Sequence, residues 1–109
     1  MHQHKELSEG RWNTFNFFTQ MANIGSEVIR ALRWQDKNKV NSQLAAERAL
    51  ELLDLSIDDP KNHTSNRLRE LYLLREFITD SLFFGNQYKS SYKSWENYFN
   101  AFTYVANKI

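Results

Sequence analysis

Glu47, Glu51, Asp54 and Asp58 are spaced at i, i+4, i+7 and i+11, which places four carboxylates on one face of a helix. Glu76 and Asp80 form a second pair, at i and i+4, in a later segment. Facing carboxylates on two helices can hold Mg²⁺, which takes oxygen ligands and keeps water or phosphate in its remaining positions. Arg48, Arg67, Arg69 and Arg75 offer these acids a simpler fate as ion-pair partners. The three histidines, His2, His4 and His63, form no His-x-x-x-His, His-Glu-x-x-His or Glu-x-x-His pattern. Cysteine is absent, which excludes disulfides, thiolate zinc sites and iron–sulfur clusters. There is also no nucleophile elbow and no glycine-rich phosphate loop.

A basic cluster follows the first helical stretch: Arg30, Arg33, Lys37 and Lys39, with Trp34 among them. Cations beside an aromatic ring can take single-stranded nucleic acid by phosphate contact and stacking. Cations are also favoured at a helix C-terminus by the macrodipole, without any ligand. The net charge is only +1, so no global basic field supports nucleic acid, and it is not the preferred partner. No run of residues approaches a membrane span. The composition suits a cytoplasmic protein.

Four amphipathic segments must position these groups. Helix A is expected over 8–34, with Ser8 as a cap and Phe18, Met21, Gly25, Val28 and Leu32 on one face. Gly25 on that buried face predicts close approach of a neighbouring helix. Helix B, over 40–57, is apolar on three sides and is expected at the centre; Asp59-Pro60 ends it. Helix C spans 64–84, with Thr64 or Ser65 as its cap and Gly85-Asn86 as its stop. Helix D begins near residue 94 and lies on the surface. The expected fold is all-α, an antiparallel up-and-down four-helix bundle, with residues 1–7 a flexible tail and 8–109 a single domain. Apolar residues at 41% and charged residues at 25% suit such a domain.

Aromatic residues make up 15% of the chain, and Trp12, Phe15, Phe17 and Phe18 crowd its N-terminal part. A continuous helix A would be ~40 Å long and would overhang shorter neighbours. The four aromatics would then form an exposed cluster, and a two-fold dimer would cover it. The alternative is a kink in helix A, near Gly25, that folds the aromatics back onto helix D.

The segments GSEVIRALRW, AERALELLDLSIDDPKN, RLRELYLLREF, FFGN and SWENYFNAFTYVAN resemble a family of short prokaryotic all-helical proteins of unknown function. Helices A and B also resemble the HEPN-type substrate-binding partners of minimal nucleotidyltransferases. Glu51-x-x-Asp54 is similar to half of the carboxylate motif of all-α nucleotide pyrophosphohydrolases, whereas Glu76 and Asp80 stand one residue further apart than its other half. The preferred expectation is a non-catalytic protein without cofactor or metal. It would act by association with itself, as a homodimer, or with a partner protein. One alternative is a Mg²⁺-dependent pyrophosphohydrolase-like enzyme using Glu47, Glu51, Asp54, Glu76 and Asp80; another is a HEPN-like partner of a nucleotidyltransferase.

Overall fold

Asn16 interrupts the helical pattern that opens the chain. In the computed structural model, residues 9–108 are described. The expectations for residues 1–7, for the Ser8 cap and for His2 and His4 lie outside the described residues. In place of one helix over 8–34 there are two, α1 (Glu9–Trp12) and α2 (Phe17–Trp34). Between them the N–H groups of Thr14 and Phe15 bond back to the carbonyls of Arg11 and Trp12, each at 3.1 Å. The Thr14 hydroxyl also donates to the Arg11 carbonyl, and the Asn16 side chain accepts from the Thr19 N–H at 2.8 Å as the cap of α2. Short polar side chains compete with helical backbone bonds in this way, so the break falls at 13–16 rather than at Gly25. The shortened α2, ~27 Å long, fits within a molecule whose longest dimension is 35 Å.

The remaining elements are α3 (Lys39–Asp58), a 3₁₀ turn (Pro60–Asn62), α4 (Ser65–Phe83) and α5 (Tyr92–Ala106). The described residues are all-helical, with no strand among them. Asn38, Thr64 and Ser91 cap α3, α4 and α5, each accepting a backbone N–H three residues on. Asp59 precedes Pro60 in an extended conformation and ends α3. Gly85 at φ +82° and Asn86 at φ +57° take the left-handed turn that stops α4. The capping box of Ser91 and Ser94 starts α5 at Tyr92, two residues before the expected position.

α2 packs between α3 and α5, and α4 packs on α3. The centre is therefore shared by α2 and α3, not held by α3 alone. Met21, Ile24 and Val28 of α2 meet Leu52 and Leu53 of α3, Leu71, Leu74 and Ile78 of α4, and Trp95 and Phe99 of α5 in one core. α2 buries a wider arc than the spacing predicted, because Gln20, Ile24 and Ala31 are enclosed along with Met21, Gly25 and Val28. Only Trp95 and Phe99 of α5 are buried, consistent with a surface-lying helix. The close approach expected at Gly25 is present: a Cβ there would stand 2.5 Å from Cγ of Phe99.

Candidate functional site

The N-terminal aromatics pack inside their own chain. Trp12 is fully enclosed, its Nε1 donating to the Ser56 hydroxyl at 3.0 Å and its ring meeting Phe15 edge-on at 5.5 Å. Phe17 is 7% exposed and meets Phe102 of α5 edge-on at 6.1 Å, with the Arg67 guanidinium 4.9 Å above its ring. Phe15 and Phe18 are half-buried against the same core. An exposed cluster awaiting a second copy is thus not what these four residues form. The turn at 13–16 folds them onto α3 and α5, and the overhang that motivated a dimer through them is absent.

A buried polar network, marked by no local pattern in the chain, holds this arrangement. Gln20 and Asn62 are fully buried and Asp59 nearly so. Gln20 Nε2 donates to the Trp12 carbonyl at 3.2 Å and to Asp59 Oδ2 at 2.8 Å. Asn62 Nδ2 donates to Gln20 Oε1 at 2.8 Å and to the Ser56 carbonyl at 2.9 Å. Lys61 lies across the top, its ammonium ion-paired with Asp59 and donating to the Asn13 carbonyl at 2.8 Å. Buried polar groups bonded to one another in this way fix the geometry around them, although the Asn62 Oδ1 is buried without a partner among the described residues.

Burial alone would raise the Asp59 pKa above its ordinary 3.8. The hydrogen bonds from the Lys61 and Gln20 side chains and the Lys61 backbone, together with the Lys61 charge, outweigh that and lower it. The unfolded chain therefore binds a proton at Asp59 more readily than the folded one. This contribution to stability is complete above pH 3.8 by a wide margin and is lost as pH falls through the lowered value. Urea melts from pH 7 down to about pH 3 are expected to show declining stability in the wild type. Asp59→Asn should be less stable at pH 7 and flatter over that range; equal slopes would mean that Asp59 is not the group responsible.

The acidic residues are engaged separately. Arg75 clasps Asp54 through Nε at 3.1 Å and Nη2 at 3.4 Å. Asp80 is buried at the end of α4 and accepts the N–H groups of Gln87 and Tyr88 at 2.8 and 3.0 Å, which folds the loop after α4 back on the helix. Glu76 accepts from the Tyr88 hydroxyl at 2.6 Å, a bond that raises the pKa of that phenol. Glu47 accepts from Gln43 at 3.3 Å, and Glu51 is half-buried on the same helix. Among the described residues, no three carboxylate or imidazole groups come together in a way that could hold a metal ion. His63 is exposed, with Nε2 2.8 Å from the Ile57 carbonyl. Between α4 and α5, Tyr98 bonds Glu70; burial first, and then that carboxylate, push the phenol's pKa far up.

Two surfaces remain unabsorbed by the core. One is the outward face of α4 with the loop after it, where Tyr72, Leu73, Phe84 and Tyr88 are 57%, 43%, 65% and 53% exposed. Tyr88 packs against Phe77 with the rings tilted and their centroids 4.7 Å apart, and it lines a groove of about 500 Å³ with Phe84. The other is a cleft of about 610 Å³ between α2 and α5, where the basic cluster lies. The chain matches no protein-family model, no curated protein and no solved structure. Its function must be argued from these surfaces.

Proposed function

We propose that the chain is a non-catalytic, cytoplasmic helical protein that acts by protein–protein association, with the outward face of α4 as its contact surface. The observation behind this is the exposure of Tyr72, Leu73, Phe84 and Tyr88 on one helix and its following loop. Aromatic and apolar residues gathered at the surface are the composition of an interface centre. The partner proposed is a second copy. Arg69 and Glu76 flank Tyr72 and Leu73 symmetrically in the sequence and are exposed. Two α4 helices crossing antiparallel at Tyr72 and Leu73 would set each Arg69 beside the partner's Glu76, a self-complementary contact of the two-fold kind.

The four long helices, in the same reading, run up and down as an antiparallel bundle. Contacts along the chain support this. Phe18 meets Phe102 and Arg33 meets Tyr92 between α2 and α5. Ala31 meets Ser42 and Gln20 meets Asn62 at opposite ends of the pair formed by α2 and α3. Ser81 meets Trp95 and Glu70 meets Tyr98 between α4 and α5. Sedimentation equilibrium between about 10 and 500 µM is expected to show a dimer, and Leu73→Asp to shift it towards monomer with unchanged helical content. A wild-type chain that stays monomeric throughout that range would overturn the proposal.

A further inference from the structure

We propose that the cleft between α2 and α5 is a binding site for a small organic phosphate bearing a planar ring, of the nucleoside monophosphate class. This goes beyond the proposed association through α4 and does not depend on it. Arg30 and Arg33 stand one turn apart on α2 and Lys37 follows in the turn after it, and all three line the cleft. Across from them, Asn100 and Thr103 of α5 present an amide and a hydroxyl. The floor is apolar where Phe99 closes on Gly25, the contact that no side chain at position 25 would allow. Trp34 stands at the rim, 40% exposed, with its indole available for stacking. The volume of about 610 Å³ lies within the range of small-molecule sites.

The charges in the cleft suit a dianion. The Arg30 guanidinium bonds Glu27 at 3.0 Å through Nη1, and the Arg33 Nε donates to the Tyr92 hydroxyl at 3.2 Å. Each bond uses one nitrogen of a group with five N–H donors and orients the rest. Glu96 supplies the one carboxylate of the lining and lies 3.5 Å from the Lys93 ammonium. With Arg30 paired to Glu27 and Glu96 beside Lys93, Arg33 and Lys37 leave a positive wall for phosphate, and the indole face at the rim meets a flat heterocycle. A bare phosphate would leave the indole and the apolar floor unused; a neutral nucleoside would leave the cations unused.

Isothermal titration of the full chain with adenosine monophosphate, inorganic phosphate and adenosine tests this. Adenosine monophosphate is expected to bind saturably, at least about ten-fold more tightly than either fragment. The double charge reversal Arg33→Glu with Lys37→Glu should weaken it by about ten-fold or more while leaving the thermal melt in place, since both side chains are exposed. Trp34→Ala should weaken the nucleotide and leave phosphate unaffected. No saturable binding up to about 5 mM would overturn the proposal. So would affinity indifferent to the charge reversal, or binding of a single-stranded oligonucleotide without binding of the mononucleotide.

Discussion

Trp12→Ala is expected to lower the free energy of unfolding by about 3–5 kcal/mol, the range for removing a large enclosed aromatic. The indole has no exposed surface, and four residues of α1 offer it no other support. Its loss opens a cavity beside Ser56, Phe15 and the carbonyl that Gln20 caps. Trp12→Phe should be milder, because a ring still fills most of the space and Ser56 keeps its bond to the Leu52 carbonyl. Urea denaturation of the three proteins gives the comparison. A loss below about 1 kcal/mol for the alanine variant would mean that Trp12 is dispensable to this core.

Leu53→Ala should cost about 2–5 kcal/mol for a different reason. Leu53 is fully buried on α3, in the core shared by α2 and α4, where both helices are pinned by other contacts and cannot collapse into the space left. Leu55, two residues on, is only half-buried and serves as the control; Leu55→Ala should lose markedly less. Denaturant melts that ranked the two substitutions equally would contradict the placement of Leu53 at the centre.

The contrast between these positions marks what could be read in the sequence. Helices α3, α4 and α5 were legible because long apolar periodicities ended in strong local signals. Asp59 before Pro60, Thr64 ahead of α4, and Gly85-Asn86 after it all do what their chemistry dictates. Gly25 was legible for the same reason, since a glycine on a buried helical face implies a close neighbour, and Phe99 is that neighbour. The break at 13–16 was misread because Phe15, Phe17 and Phe18 continue a helical spacing across it. Asn13, Thr14 and Asn16 carried the contrary signal, and hydrogen bonding by Thr14 and Asn16 decided the outcome.

The site residues divide along the same line. Arg30, Arg33, Trp34 and Lys37 could be grouped from sequence because the end of one helix and the turn after it carry them. Their opposite wall, Asn100 and Thr103, lies on α5, and no local pattern joins residues so far apart in the chain. Gln20, Ser56, Asp59 and Asn62 were missed altogether, since each is of a type usually found at the surface. Their burial depends on partners 39 to 44 positions away, as with Trp12 and Ser56, Gln20 and Asp59, and Gln20 and Asn62. The aligned acids pointed to a metal, yet Asp54 and Asp80 have arginine and backbone partners that only the folded chain brings near.

The brevity of α1 has a consequence for motion. A four-residue helix cannot sustain itself in water, where nucleating even the first turn is unfavourable. It exists because Trp12 is seated against α3 and because Gln20 and Lys61 hold the carbonyls of Trp12 and Asn13. Those links are what tie residues 9–16 to the rest of the core, whose other members run from Phe17 through Phe99. The native ensemble therefore contains a rung below global unfolding, in which residues 9–16 swing free while α2 to α5 stay assembled. In that state Ser56 loses the indole of Trp12, Gln20 loses its carbonyl, and the polar network beneath them meets solvent.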